Sequence, residues 1–584
     1  MMKWLAAVSV FALVSGCATV APPAQVSTSS APAPVPSYDL LIRGGTISDG
    51  SGGPPYVGDV GISGDRIVYA GPSQEASAPR LVDARGLAVA PGFINMLSWS
   101  NESLLVDPRG QSELRQGITL EVMGEGWSMG PLNDEMKALS VKQQGDIKYP
   151  IEWTTLGDYL NFLERKGTSL NIASFVGATT VRQHVLGDGD VDPDQAQLTR
   201  MRGLVRQAME EGAMGVGSSL IYPPASFAET DELVALVSEA GKCGGMYISH
   251  MRSEGDRLVE SVDELIEISR RSGAPAEIYH LKQAGRTNWG KLDAVIARVE
   301  AARAAGLRIT ADMYTYTAGG TGVAASMPPW VQDGGTEAML KRLKDPAVVS
   351  RIKREMGKPG TSWENLYYHA GPDGIRLASV AEESLKPLIG KTIGEVAKLR
   401  GVSPEQAVID LVIADQGRSG AIYFLMNEDN VRRQTAIPWV SFGSDAEASA
   451  PEGVFLKSST HPRAYGNFAR FLGKYVRDEK TAPLADAIRR LTALPASNLG
   501  LSDRGKLAPG MAADVVLFDP ATIADHATFD NPMQYATGVR DVFVNGVQVL
   551  KGGEPTGATP GRFVKGAGWT GWPGGGACAT RQVQ

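Results

Sequence analysis

The middle of the chain alternates between short apolar segments and longer amphipathic ones, and this alternation restricts the fold more than any other feature. The amphipathic pattern is clear in residues 256–271, where Leu258, Val262 and Leu265 recur on one helix face. Strands that alternate with helices in this way predict an α/β protein, a (β/α)8 TIM barrel. Eight segments are predicted as its strands: residues 93–97, 118–123, 172–176, 214–218, 246–250, 277–280, 308–312 and 440–444.

The two ends of the chain differ in pattern from the middle. Short apolar segments separated by Gly and Asp-Gly turns occupy residues 38–90 and 500–565, which predicts one composite β-sandwich domain built from both ends. The barrel is expected to take residues 91–499. Residues 318–422 carry helical patterns of their own between the seventh and eighth strands, and are predicted to be an inserted subdomain. Residues 566–584 are a C-terminal tail.

The first 17 residues resemble a bacterial lipoprotein signal peptide. Lys3 precedes an apolar stretch, residues 4–16, that is shorter than the roughly 20 residues of a membrane span. The stretch ends in a lipobox-like Val14-Ser15-Gly16-Cys17, so Cys17 is expected to carry lipid and residues 18–37 to form an extended tether. We therefore expect an exported lipoprotein at the periplasmic face of the outer membrane, held there only by this anchor. The alternative is a plain secretory signal that is cut nearby.

The composition argues against nucleic-acid binding and leaves one disulfide pairing undecided. The 584 residues have a formal net charge of −7 and contain no dense run of Lys and Arg, so nucleic-acid binding is not expected. Only three cysteines are present. Cys243 and Cys578 could form a disulfide, but the sequence does not decide whether they do.

Two histidines stand at matching positions of successive predicted strands. His250 ends the fifth strand and His280 ends the sixth, so both face the C-terminal mouth, where barrel enzymes place their chemistry. Two imidazoles on neighbouring strands can bind one metal ion at about 2.1 Å. Each histidine alone could be a buried structural residue, but their matched positions favour a metal site.

Two carboxylates follow other strands of the same barrel. Glu125 lies after the second strand and is the candidate third ligand, since two histidines and a glutamate form an established catalytic zinc set. Asp445 lies after the eighth strand and is the candidate general base, which would take a proton from the attacking water and pass it to the leaving nitrogen. Alternatively, either residue could serve only to shape a turn.

Motifs across residues 38–570 resemble the N-acyl-D-amino-acid deacylase (D-aminoacylase) branch of the amidohydrolase superfamily. The resemblance implies a TIM-barrel amide hydrolase. It also makes Arg463, Lys282 and Tyr316 candidate substrate-binding residues, with Arg463 holding a substrate carboxylate or, alternatively, forming a structural ion pair. The motifs are His250-Met251-Arg252 with Glu254-Gly255-Asp256, His280-Leu281-Lys282 with Asn288-Trp289-Gly290, Asp312-Met313-Tyr314-Thr315-Tyr316, Gly443-Ser444-Asp445 with His461-Pro462-Arg463, and Gly510-Met511-Ala512-Ala513-Asp514.

The first predicted strand departs from that family. Leu97 and Trp99 stand where the family has two histidines spaced HxH, and Glu125 stands where it has a metal-binding cysteine. The resemblance implies that the HxH pair serves the weaker of two metal sites. Glu125, His250 and His280 are therefore expected to hold one zinc per chain, with manganese or cobalt able to compete. Leu97 and Trp99 could form an apolar wall for an acyl or aryl group, or could simply fill the core.

Together these features predict a metal-dependent hydrolase acting on a small N-acylated amino acid, with the D configuration implied by the resemblance alone. Two alternatives stay open. One is hydrolysis of other amides, such as dipeptides or fatty or aryl amides, at the same site. The other is a non-catalytic ligand-binding lipoprotein. The lost HxH pair favours the non-catalytic alternative, whereas the retained Glu125, His250, His280, Asp445 and Arg463 oppose it.

Overall fold

The computed structural model describes residues 9, 12, 16, 35–360 and 362–580. The predicted signal peptide, including the lipobox Cys17, lies outside the described residues except for three isolated positions, and the predicted tether is described only from residue 35. In the part of the chain that the structure describes, no helix combines the length and apolar character needed to cross a membrane.

A closed barrel of eight parallel strands forms the centre of the molecule, which confirms the predicted fold class. Neighbouring strands pair in parallel in chain order. The barrel closes where the amide of Met96 donates to the carbonyl of Phe442 at 3.1 Å. The eight strands are Phe93–Asn95, Ile118–Met123, Asn171–Ser174 continued by Val176–Gly177, Gly215–Ser219, Met246–His250, Ala276–Ile278, Ile309–Met313 and Val440–Phe442.

Alternating side chains of these strands fill the barrel and bind its outer helices. Met246 and Ile248 belong to the apolar cluster inside the barrel, whereas Tyr247 between them packs in the cluster under the helices. This alternation follows from the two-residue period of a strand. Each such buried side chain contributes about 1.5–3 kcal/mol, so the strands are fixed from both faces.

Helices follow most barrel strands, and several begin with polar caps. Thr155 and Asp194 each accept a hydrogen bond from the third residue of the helix that they precede. The helices outside the insertion are Ser103–Val106, Gln111–Leu114, Asp134–Gln143, Leu156–Lys166, Ala178–Leu186, Gln195–Glu211, Thr230–Lys242, Leu258–Ser272, Leu292–Ala304, Glu428–Gln434, Arg463–Arg470 with the π-helical Phe471–Asp478, Leu484–Leu491, Ala493–Asn498 and Gly576–Thr580; the short 3₁₀ turns there are Ala225–Phe227, Arg286–Lys291 and Gly453–Lys457.

The segment between the last two barrel strands has a separate apolar core and a small antiparallel sheet. Gly420–Tyr423 is the central strand and pairs with Gly319–Gly322 and Ile375–Ser379. The helices of this insertion are Gly335–Arg342, Pro346–Met356, Leu366–Ala370, Ile393–Arg400 and Pro404–Ala414, with 3₁₀ turns Val323–Ser326, Pro329–Gln332, Pro372–Gly374 and Glu383–Leu388.

Strands from both chain ends form one β structure, as the sequence predicts, but hydrogen bonding links them into a single nine-stranded sheet. Leu40–Ile47 pairs with Arg80–Asp83 near its start and with Ala88–Pro91 near its end, which joins the parts expected to form a sandwich. Ala88–Pro91 also pairs with Val515–Phe518 from the other end of the chain. The remaining strands are Tyr56–Ser63, Arg66–Gly71, Val539–Val544, Val547–Lys551 and Glu554–Pro555.

A disulfide joins Cys243 to Cys578 across 335 positions of sequence. Cys243 caps the helix Thr230–Lys242 of the barrel, and Cys578 lies in the last helix, Gly576–Thr580. The pairing that the sequence left open is therefore present, and it ties the C-terminal segment to the barrel.

Candidate metal centre

The C-terminal ends of four barrel strands bring the predicted site residues to one mouth. His250 is the last residue of Met246–His250, and His280 lies two positions after Ala276–Ile278. Glu125 lies two positions after Ile118–Met123, and Asp445 three after Val440–Phe442. This is the face at which TIM barrels assemble their active sites.

Glu125, His250 and His280 form a compact group of potential metal ligands. Oε1 of Glu125 lies 3.0 Å from Nδ1 of His250 and 3.0 Å from Nε2 of His280. The three side chains are buried, and one ligand atom from each lies within 4.8 Å of the others. A tetrahedral zinc ion keeps nitrogen and oxygen ligands about 3.3 Å apart, so this donor set fits zinc with little rearrangement.

Two of the site residues have a left-handed backbone that the rest of the barrel holds in place. His280 has φ of 35° and Asp445 has φ of 50°. The amide of His280 donates to Oδ1 of Asp312 at 2.9 Å, and the amide of Asp445 donates to the carbonyl of Leu97 at 2.9 Å. Residues other than glycine rarely adopt this conformation, and where they do, the strain is often part of a functional site.

Glu254 lies behind both histidines, although the sequence analysis assigned it no separate role. Its Oε1 lies 3.0 Å from Nδ1 of His280 and 2.7 Å from Nζ of Lys282. Its Oε2 lies 3.5 Å from Nε2 of His250. Burial disfavours the charged carboxylate, but the surrounding His250, Lys282 and His280 outweigh burial and lower the pKa of Glu254. It lies four residues after His250, a spacing that does not by itself indicate a role.

The same carboxylates control the protonation of His280. Burial and the charge of Lys282 lower the pKa of His280, but Glu254 and Glu125 outweigh them and raise the pKa to about 10. A histidine binds metal only when the ligating nitrogen is unprotonated. Protons therefore compete with a metal ion for this group.

Trp99 lies at the mouth of the barrel, with its indole N–H between two carboxylates. Nε1 of Trp99 donates to Oε2 of Glu125 at 3.1 Å and to Oδ1 of Asp445 at 3.0 Å. Leu97 differs from Trp99, because it is fully buried in the apolar cluster inside the barrel.

Residues 80–550 match the profile of the amidohydrolase family. The chain belongs to the amidohydrolase family. The match covers the barrel and five of the nine strands of the sheet, from Arg80–Asp83 to Val547–Lys551, so the family assignment rests on the barrel as a whole and not on one motif.

Relatives of this amidohydrolase confirm the branch that its motifs resemble. It is 34% identical to the D-aminoacylase of Alcaligenes xylosoxydans xylosoxydans over 530 residues, which cover 90% of this chain and 97% of the relative. A solved N-acyl-D-glutamate deacylase from Bordetella bronchiseptica, complexed with zinc and a phosphonate inhibitor, has a TM-score of 0.73 at 29% identity and covers 91% of this chain and 100% of its own. A solved D-aminoacylase is described as having a binuclear metal centre with one-metal activation and second-metal attenuation. It has a TM-score of 0.74 at 31% identity, and the match covers 90% of this chain and 100% of the D-aminoacylase chain.

Arg463 completes the mouth of the amidohydrolase site. Its Nη1 lies 2.7 Å from Oδ2 of Asp445, and its guanidinium carbon lies 4.5 Å from the centre of the Tyr314 ring. Its side chain is only 4% exposed. Among the described residues Nε has no hydrogen-bond partner, and the contact of Nη1 with Asp445 is an ion pair whose angles do not suit a hydrogen bond. A buried guanidinium with free donors can bind an anion from the substrate.

The two predicted substrate residues beside Arg463 differ in how they face the site. Lys282 is buried among the ligands, with Nζ 2.6 Å from Nδ1 of His280. The hydroxyl of Tyr316 donates to Oδ2 of Asp525 at 3.1 Å, and its ring lies 5.8 Å from that of His461. Tyr314, which was not a predicted site residue, contacts Arg463 and lies with its ring 5.5 Å from Nζ of Lys282. Both tyrosines follow the strand Ile309–Met313, and the loop after the strand, not strand alternation, gives them different contacts.

Proposed function

We propose that this amidohydrolase hydrolyses N-acyl-D-amino acids with one zinc ion held by Glu125, His250 and His280. The observation that supports this most strongly is the placement of that ligand group beside the buried pair of Asp445 and Arg463. The pair offers a proton-transfer group and an anion-binding group at one mouth. The similarity to a D-aminoacylase and to a zinc-bound D-glutamate deacylase supports both the substrate class and the metal.

Zinc, when bound, supplies Lewis-acid polarisation of an amide carbonyl and makes water easier to deprotonate. The chain supplies the proton transfers. Burial raises the pKa of Asp445 above its usual value, even though Arg463 opposes the rise. A carboxylate with a raised pKa is a better proton acceptor, and its protonated form can then donate to the leaving amine. Asp445 is therefore the general base and the general acid in turn.

Arg463 is proposed to bind the substrate carboxylate. Its planar fork can pair with two carboxylate oxygens, and its Nε has no hydrogen-bond partner in the described structure, whereas Nη1 faces Asp445. Tyr314 lies against the guanidinium and limits its movement. A substrate with a free carboxylate would then be oriented with its amide towards Asp445.

The aromatic side chains around the mouth suit an apolar acyl group. The ring of Tyr222 lies 5.2 Å from that of His250 and 6.0 Å from that of Trp127. Trp99 is half-buried, with its indole N–H 3.1 Å from Oε2 of Glu125. Aromatic walls of this kind bury the apolar part of a ligand while a few polar groups set its orientation.

Export and lipid anchoring are part of the proposal. The lipobox-like sequence before Cys17 motivates it, and the disulfide between Cys243 and Cys578 supports it, because disulfides persist mainly in oxidising compartments. The test is incorporation of labelled palmitate in cells, with Cys17→Ser as the control. Labelling of the wild type alone, in outer-membrane fractions, is expected. Equal lack of label in both proteins would contradict the anchor.

The activity is tested with signal-free protein and matched pairs of N-acyl-D- and N-acyl-L-amino acids, together with neutral amides. We expect turnover of the D series that is lost on chelation and restored by zinc. Equal turnover of neutral amides would favour the wider amide hydrolase. No turnover of any amide by metal-loaded protein would favour the non-catalytic binder.

A further inference from the structure

Trp99 makes a contact with the candidate metal centre that a core-filling residue would not make. One indole N–H is shared between an oxygen of a metal ligand, Glu125, and an oxygen of the general base, Asp445. The N–H is 3.1 Å and 3.0 Å from these oxygens, so it binds both carboxylates at once. Carboxylate oxygens are metal ligands, so a group that links two facing carboxylates in this way occupies space that a cation could otherwise take.

Main-chain hydrogen bonds hold the backbone of Trp99 beside that of Asp445. The amide of Asp445 donates to the carbonyl of Leu97, and the amide of Trp99 donates to the carbonyl of Ala446, both at 2.9 Å. Ser98 and Ala446 form a parallel bridge between these bonds. The segment that carries Trp99 is therefore held beside the segment that carries Asp445, which keeps the indole N–H within reach of both carboxylates.

The remaining side chains offer no second ligand set. In two-metal sites the ions lie about 3.5–4 Å apart and each needs ligands of its own. Within the described residues, Glu125, His250 and His280 are the group that brings three such ligands together. His461 is nearby, but its Nε2 faces the carbonyl of Ala318 at 2.9 Å and its Nδ1 accepts from the amide of Arg463.

The charges of the site also oppose a second ion. Glu125, Glu254 and Asp445 face the cations Lys282 and Arg463, so the anionic surplus of these side chains is small. The charge of one divalent ion already exceeds this anionic surplus. A second divalent ion would add repulsion in a buried region, where charges interact more strongly than in water.

We propose that Trp99 excludes a second metal ion from this centre, because its indole ring and N–H take the place between Glu125 and Asp445. This inference rests on the proposed metal site and adds a limit to it: the centre binds one ion even at high metal concentration. Inhibition by excess zinc through a second site in the centre should then be absent from this chain.

The experiment measures zinc bound per chain by equilibrium dialysis and mass spectrometry over a wide range of free zinc. Four signal-free proteins are compared: the wild type, Trp99→Ala, the double variant L97H/W99H, and Trp127→Ala. Trp127→Ala is the matched control, because it also removes an indole from the mouth but leaves the contact between Trp99 and the carboxylates intact. Circular dichroism identifies any variant that does not fold.

The wild type and Trp127→Ala should saturate at one zinc, whereas L97H/W99H should bind a second, weaker ion. Trp99→Ala should bind a second ion only at high zinc, since it opens the space without adding imidazoles. Two ions in the wild type would overturn the inference while leaving a metal enzyme. The inference would also be overturned if both folded Trp99 variants bound only one ion, or if Trp127→Ala bound a second ion. If the double variant does not fold, the amounts of zinc bound by Trp99→Ala and by the wild type test the inference. No zinc in the wild type would overturn the proposed function itself.

Discussion

Oε1 of Glu254 lies 3.0 Å from Nδ1 of His280, on the other side of the imidazole from Glu125. The ring is therefore held between two carboxylates, one of which faces the ligand group. A carboxylate behind a metal-binding histidine fixes the orientation of its ring and raises its basicity. Because Oε2 of the same side chain also faces His250, one residue supports both imidazoles.

Glu254→Gln should weaken zinc binding by about 10–100-fold and leave the fold unchanged, because the amide cannot replace the charge behind the rings. Competition with a fluorescent chelator measures the affinity. Glu260→Gln is the matched control, since Glu260 is exposed on the following helix. Unchanged affinity in Glu254→Gln, or an equal loss in the control, would contradict the supporting role.

Asp445→Asn should lower kcat by about 10²–10⁴-fold without loss of bound zinc, because the amide cannot accept the proton of the attacking water. The acceptor for the indole of Trp99 is retained in the variant, so the local geometry should persist. Steady-state kinetics and metal analysis on the same samples check this. Near-normal kcat with full metal content would remove Asp445 from the proton transfer.

Arg463→Lys should raise KM for N-acyl-D-amino acids by roughly 10-fold or more, since lysine keeps the charge beside Asp445 but lacks the fork for a carboxylate. The comparison substrate is the same compound with its carboxylate converted to a neutral amide. Its KM should change little if it is turned over at all. An equal rise for both compounds would show that Arg463 acts only through its ion pair with Asp445.

Glu364 should make the stability of the protein fall as pH rises. Burial raises the pKa of Glu364 to about 7 from 4.5, and the charge of Glu254 adds to the rise. A carboxyl whose folded pKa is raised stabilises the fold fully below pH 4.5, and this contribution is lost as pH rises through 7. Glu364→Gln is never charged and still offers an acceptor to the amide of Glu254.

Urea unfolding of wild type and Glu364→Gln at pH 5 and pH 8 tests whether the contribution of Glu364 to stability falls as pH rises. The two free energies of unfolding should be similar at pH 5. At pH 8 the variant should be more stable, by at most about 3 kcal/mol. A difference that does not depend on pH, or a variant that is less stable only at pH 8, would contradict the account.

The sequence predicted the barrel well because its strands and helices have different periods. The strand ends also predicted that His250 and His280 would lie together, since neighbouring parallel strands end at one mouth. The direction of the indole of Trp99 could not be predicted, because it depends on hydrogen bonds between segments about 350 positions apart. The same holds for the disulfide across 335 positions.

The support from Glu254 was missed for a different reason. It lies in a loop, four residues after His250, and contacts two histidines from different strands. No local pattern distinguishes such a carboxylate from one that only shapes a turn. The different contacts of Tyr314 and Tyr316 likewise depend on the path of the loop after Ile309–Met313, which no local pattern predicts.

The most direct test of the central claim is the amount of zinc bound per chain, measured together with turnover of an N-acyl-D-amino acid, in wild type, Glu125→Ala and His250→Ala. His526→Ala is the control, because His526 is exposed and its imidazole contacts Thr537 and none of the candidate metal ligands. We predict about one zinc and full turnover in the wild type and the control, and loss of both in the two ligand variants. Turnover that persists in zinc-free Glu125→Ala and His250→Ala would contradict a metal-dependent hydrolase at this centre.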